Sequence, residues 1–214
     1  MKEQPIKNES FQGLARTIAD CQTGWTAAWH GGNTAIPEKP LLALIGEEHR
    51  CNFELWHQED KARAPNSSAA NIAAIKRAID KLNQQRSDLI EKVDETILNE
   101  LQTRQAVPPK GAPWNSETPG SAIDRLSILS LKVYHMREET QRTDAPQAHI
   151  QKCRDRLGLL KQQHADLVIA LQNLIDDLFA GRKQMKIYRQ CKMYNDPDTN
   201  PEIYKRQKTE DRSQ

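Results

Sequence analysis

The stretch GSAIDRLSILSLKVYHMREE, Gly120–Glu139, is apolar around most of a helical circumference. At ~100° per residue, only Arg125, Lys132 and Glu139 share a clear solvent side. A helix of that kind must be surrounded by others, because its apolar faces all need cover. The stretch therefore predicts an all-α protein with this segment at the centre of a bundle. Asp124, Ser127, His135 and Glu138 then face neighbouring helices, which is unusual for a packed interior.

Upstream, Thr118-Pro119 is a helix start, a capping hydroxyl followed by Pro at the first helical position. Before it lies AVPPKGAPWNSETPG, Ala106–Gly120, with four prolines and two glycines. Connections this long inside a compact domain usually carry function or lack order. Further upstream a long helix is predicted over about 71–105, with the stripe Ile72, Ile75, Ile79, Leu82, Leu89, Ile90, Val93 and Ile97. Asn83 and Arg86 intrude into that stripe. Ser67 or Ser68 is expected to cap it.

GEEHRCNFELWHQEDKAR, Gly46–Arg63, carries the same irregularity. His49, Asn52, Asp60 and Arg63 fall in the arc of Leu42, Ile45, Phe53 and Trp56, about 60° either side of His49. An unpaired buried polar group costs roughly 1–3 kcal/mol, so these residues need partners or a cavity. Three helices with the same intrusion point to a shared site between them. Structural ion pairs such as Asp60–Arg86 or Asp124–Arg63 are the alternative reading. At the chain start, Leu14, Ile18, Cys21 and Trp25 are spaced for a first helix ending near HGGN. After TDAPQ, with Asp144 as cap, a last long helix has the stripe Ile150, Cys153, Leu157, Leu160, Val168, Leu171, Ile175 and Leu178, and runs to about Tyr194. His164 in that stripe reads as a satisfied core histidine. Trp25, Trp29 and Trp56 are expected in the core, whereas Trp114 either stacks on a ligand or closes the core.

The chain of 214 residues suits one domain. We expect an antiparallel bundle of four main helices plus a short N-terminal helix over 1–200, and a charged, disordered tail over 201–214. A net charge of +2 with both signs interspersed leaves no footprint for nucleic acid. Mean hydropathy is −0.80, and no apolar run approaches the ~20 residues needed for a membrane span. MKEQPIKNES lacks the apolar core of a signal peptide. Cys21, Cys51, Cys153 and Cys191 are scattered with no CxxC, which fits reduced thiols in a cytoplasmic protein.

Catalytic and metal patterns are sparse. Glu54-Leu-Trp-His57 is the only ExxH, where di-iron bundles need two. His49, His57, Glu59, Asp60, His135 and Glu138 offer enough ligands for one divalent ion, but no pattern assigns them, so no metal and no cofactor is placed. Glu91-Lys-Val-Asp94 is an ExxD of the kind helical nucleotide pyrophosphohydrolases use, without its ExxE partner. No Walker loop, GxGxxG or GxSxG is present.

HRCNFELWHQEDKAR, AIDKLNQQRSDLIEKVDE, NSETPGSAIDRLSILSLKVYHMREE and MYNDPDTNPEIY together resemble a bacterial all-helical family known only as a domain of unknown function. The resemblance covers most of the chain, to Tyr204. It maps the family's signature onto His49, Asn52, Phe53, Trp56, His57, Glu59, Asp60, Arg63, Asn115, Glu117, Thr118, Pro119, Gly120, Asp124 and Arg125. It also implies a setting in lipopolysaccharide assembly, because members are often encoded beside its glycosyltransferases. The expectation is a polar pocket for a small anionic ligand in cell-envelope glycan synthesis. His49 or His57 with Glu59 or Asp60 would perform any acid–base step. Arg63, Arg86 and Arg125 would hold anionic groups. Asn52, Trp56, Asn83, Trp114, Asn115, Glu117, Thr118, Asp124, His135 and Glu138 would complete the wall, with the NSETPG loop over the bundle end nearest His49 to Asp60. The alternatives are a non-catalytic partner for a glycosyltransferase and a metal-dependent hydrolase.

Overall fold

The computed structural model describes residues 11–36, 38–190, 193 and 196–203. Five helices span most of them: α1 Leu14–His30, α2 Pro40–Ala62, α3 Ala69–Thr103, α4 Pro119–Thr140 and α5 Gln147–Phe179. The fold is all-α. Among the described residues the sole β-type pairing is an isolated bridge between Trp114 and Gln184.

Local chemistry sets the helix starts. The Ser68 hydroxyl accepts from Asn71 N at 3.2 Å, and the Thr118 hydroxyl accepts from Ser121 N at 3.2 Å. Each satisfies one of the amide donors a helix start leaves over. Pro40 and Pro119 occupy first-turn positions, where a missing N–H costs nothing. Asp144 does not cap α5. Its carboxylate is taken by the Arg142 guanidinium at 2.8 Å, and Pro146 precedes the helix without a side-chain cap. Nor does α5 run on to Tyr194. Gly181 adopts φ +67, a left-handed conformation that glycine takes at no steric cost, and the helix stops at Phe179.

α2 with α3 and α4 with α5 form two antiparallel hairpins, and α4 packs against all four other helices, as its all-round apolar pattern requires. α1, α2 and α4 run in the same direction, with α3 and α5 opposed. Pairings along the helices show this: Gln22 meets Ile123, His49 meets Ser127, and Arg86 meets Asp124 while Gly120 meets Asp94. The core is built from Ala15, Ile18 and Ala19 of α1, Ile45 of α2, Val93 and Ile97 of α3, Ile123 and Leu126 of α4, and Leu171, Ile175 and Leu178 of α5. Trp25 and Trp29 belong to it. Leu55, Ile75 and Ile79 make a smaller cluster between α2 and α3. Ile72, expected in the α3 stripe, is exposed in the first turn of α3.

After α5 the chain turns back as an extended strap. Gln184 N donates to Pro113 O at 2.9 Å, and Arg189 then bonds Glu91 and Glu95 on α3 at 2.9 and 2.7 Å. Residues 201–203 make a helical turn, and the remainder of the expected tail lies outside the described residues, as does Cys191.

Candidate functional site

Two polar layers cross the bundle between α1, α2 and α4. In the first, His49 is wholly buried and both of its ring nitrogens are partnered. The Thr26 hydroxyl donates to Gln22 O at 2.8 Å, so His49 Nε2–H donates to Thr26 Oγ1 at 2.9 Å. Nδ1 is then the acceptor, and the Ser127 hydroxyl donates a hydrogen bond to it at 2.7 Å. Ser127 Oγ in turn accepts from Asn52 Nδ2 at 2.9 Å, and the same amide reaches Asp124 Oδ1 at 2.9 Å and Glu48 Oε1. Burial drives the His49 pKa down to about 3, so the ring is neutral across the physiological range. The Ser127–His49 pair has the distance of a nucleophile and its base, but both residues have 0% exposure. No substrate reaches them, and the layer ties three helices together.

Glu48, absent from the sequence-based site, completes this layer. It is 1% exposed, and its Oε2 is buried without a hydrogen-bond donor. Burial first, and then the Asp124 carboxylate beside it, push its pKa well above the usual range, against the weaker pull of Arg86. A neutral Glu48 donating its proton to Asp124 accounts for both observations. Asp124 also faces Arg86 Nε at 3.5 Å, and Arg86 Nη1 donates to Asn52 Oδ1 at 3.3 Å. The ion pairs differ from the pairings expected. Arg86 pairs with Asp124, and Arg63 pairs with Glu59 at 2.6 Å on the surface.

The outer edge of the layer opens into a groove of about 380 Å³ lined by Asn52, Trp56, Glu59, Asp60, Arg63, Asn83 and Arg86. Seven expected site residues therefore do meet in one cavity. His49 does not, because it lies one helical face deeper. Arg63 and Asp60 are at the exposed rim, where the last turn of α2 leaves the bundle.

The NSETPG loop is elsewhere. It leads into the N-terminus of α4, and Gly120 N donates to the buried Asp94 carboxylate at 2.7 Å. A Cβ at Gly120 would stand 2.7 Å from Ile90 O, so only glycine permits this approach of α4 to α3. The loop thus sits at the end of the bundle opposite Asp60 and His135, about 22 Å from His135 along α4. Its polar residues are used locally: Asn115 donates to Glu117 O, Glu117 pairs with Arg125 at 2.7 Å, and Thr118 caps α4. Trp114 is 58% exposed and covers neither polar layer. The ExxD pair is divided as well, with Glu91 bonded to Arg189 and Asp94 to Gly120. Cys51 is buried and its thiol is pushed up to about 12 by burial, so it is no nucleophile at neutral pH. His164 is half-buried and bonds Ser130 Oγ at 3.1 Å, as a satisfied core histidine does.

The second layer lies two turns further along α2 and α4 and one along α1. Here His30, His57 and His135 converge, each with one ligand-capable atom within 4.8 Å of the others. Aromatic rings fix them. Tyr134 stacks on His30 at 4.3 Å, Trp56 stacks on His135 at 4.5 Å, and Phe53 meets His57 edge-on at 4.6 Å. Burial, followed by the neighbouring His30 and His135, lowers the His57 pKa, opposed by Asp60. Glu138 is exposed and bonds His135 Nδ1 at 2.9 Å. The sequence pattern places His57 and His135 at a site, but His30 only at the end of a helix. A signal for it was present: Trp29-His30, Trp56-His57 and Tyr134-His135 each place a histidine directly after a large aromatic ring. Beside this layer, Trp56, Asp60, His135, Met136, Arg156 and Leu160 line a cavity of about 570 Å³.

No helix among the described residues is long and apolar enough to cross a membrane. The chain matches no curated protein and no solved structure. A family model described as a protein of unknown function, DUF4254, matches residues 42–187, about two thirds of the chain, and so takes in α2, α3, α4 and α5 with both polar layers except their α1 members. The chain belongs to the DUF4254 family.

Proposed function

We propose that the protein binds a small polar ligand with an anionic group in the groove between α2, α3 and α4. The observation that carries this reading is Arg86. Its guanidinium borders the groove at 28% side-chain exposure, braced from behind by Asp124 and Asn52. A positioned, partly desolvated guanidinium favours a carboxylate or phosphate over water. Arg63 adds a second cation at the rim, and Asn83, Glu59 and Asp60 supply partners for hydroxyl groups. Trp56 supplies an apolar wall. Guanidinium, amide, carboxylate and indole together suit an acidic or phosphorylated sugar. Its place in cell-envelope glycan synthesis rests on the family resemblance alone. The groove supplies binding, and no reaction step is assigned to it.

The test is a thermal-shift screen of sugar phosphates and uronic acids against the full chain. A ligand at a hundred times its Kd stabilises by about 2.7 kcal/mol, which is readily seen as a rise in Tm. Arg63→Ala, at the exposed rim, should abolish or halve the shift while unliganded Tm stays near wild type, and Asn83→Ala should weaken the shift. Equal shifts in the variants, or no hit in either class, would overturn the groove as the site.

A further inference from the structure

We propose that His30, His57 and His135 form a three-imidazole site for a divalent transition-metal ion of the zinc class. This does not rest on the groove reading. His30 Nδ1 lies 2.7 Å from Thr26 O, a carbonyl that can only accept, so Nδ1 carries the hydrogen and Nε2 carries the lone pair. His135 Nδ1 lies 2.9 Å from the Glu138 carboxylate, which makes the same assignment. Both Nε2 atoms are buried and have no hydrogen-bond partner. His57 has no hydrogen bond at either nitrogen among the described residues. Two fixed lone pairs and the His57 ring therefore belong to one cluster whose ligand-capable atoms lie within 4.8 Å of one another.

Buried lone pairs that accept no hydrogen bond cost free energy, and a bound cation satisfies them. Metal-binding imidazoles almost always donate their other N–H to a carbonyl or carboxylate, which fixes tautomer and ring orientation. Thr26 O and Glu138 provide those two acceptors. Neutral imidazole suits zinc and its neighbours rather than magnesium or calcium, which take oxygen. Three protein ligands leave a fourth position for water or a ligand, the count found in catalytic zinc sites. With Zn–N near 2.0–2.1 Å, tetrahedral ligand nitrogens stand roughly 3.3 Å apart, so the present spread of up to 4.8 Å asks each ring to move by about 1 Å or less. The three rings come from three helices, and the Tyr134, Trp56 and Phe53 rings that flank them limit any larger motion.

The rival cluster, Glu139, His149 and Cys153, is already occupied by its own contacts. Glu139 Oε2 binds Arg142 at 3.1 Å and His149 Nε2 at 3.0 Å, and that same nitrogen lies 3.4 Å from Cys153 Sγ.

The experiment uses the full chain without a histidine tag, stripped with chelator and titrated with zinc by calorimetry, then with cobalt to read the visible absorption of a tetrahedral site. One equivalent should bind. His57→Ala and His135→Ala should each weaken binding at least tenfold and lose the cobalt spectrum, and Glu138→Gln should weaken it by about tenfold. His164→Ala should bind as wild type. Should His57→Ala fail the helicity check by circular dichroism, the exposed Glu138→Gln carries the test. No stoichiometric uptake, wild-type affinity in the His57 and Glu138 variants, or zinc lost only in His149→Ala and Cys153→Ala would each overturn the proposal.

Discussion

The His49 layer and the His57 layer lie on the same three helices, two turns apart along α2, and treat their imidazoles in opposite ways. His49 has a hydroxyl on each nitrogen and no exposure. His30 and His135 have an acceptor on one nitrogen and nothing on the other, in a half-buried setting. Polar groups inside a bundle are thus of two kinds. An imidazole with both nitrogens bonded holds helices in register, whereas one with a buried nitrogen left over still has an acceptor to satisfy.

The largest expected effect tests the first kind. His49→Ala leaves a cavity and strips partners from Thr26 and Ser127, which should cost about 3–5 kcal/mol in urea unfolding. The equivalent change in the second layer, His57→Ala in metal-free protein, should cost about 1 kcal/mol, because no hydrogen bond is lost. Similar losses for the two would erase the distinction. The same contrast has a pH signature. The folded pKa of His49 is depressed from 6.5 to about 3, so its contribution is complete above pH 6.5. It is lost as pH falls toward about 3, because only the unfolded chain takes up the proton there. Stability should decline by up to about 1.4 kcal/mol per pH unit over that window, and His49→Ala should flatten the slope.

Gly120→Ala should cost about 1–3 kcal/mol by forcing α4 from Ile90 O, with the groove and the histidine cluster unaffected. Glu48→Gln sharpens the account of the first layer. Glu48 has a raised folded pKa, so its stabilising contribution is full below pH 4.5 and is lost as pH rises through the folded value. An amide can accept from Asn52 and donate to Asp124 without ionising, so the variant should gain about 1 kcal/mol at pH 8 and little at pH 4. A loss at pH 8 would mean that Glu48 is buried as the anion. Arg63→Ala, which breaks only the surface pair with Glu59, should change unfolding by no more than about 0.5 kcal/mol.

Much of the architecture was written in local pattern. The capping hydroxyls Ser68 and Thr118, the prolines at first turns and the all-round apolar Gly120–Glu139 segment identified helices and the central member of the bundle, because those signals act within a few residues. Asp124, Arg86 and Asn52 were recognisable as intruders because a charge or amide in an apolar stripe needs a partner. Which partner it found was not recognisable. Arg63 and Asp60 share an arc with His49, but α2 outruns its cover at that end, and an angle about one axis carries no information on where a neighbouring helix stops. Asn115 and Glu117 looked functional because no local structural role was evident, whereas their partners are each other's loop and Arg125.

By itself, then, the sequence determined the helices, their buried faces and the presence of polar groups that had to be answered within the bundle, all consequences of periodicity and short-range chemistry. Only the tertiary structure decided which of those groups are satisfied. Donor and acceptor matching depends on distances of a few tenths of an ångström between residues as far apart as His30 and His135, and those are fixed by how α1, α2 and α4 pack together.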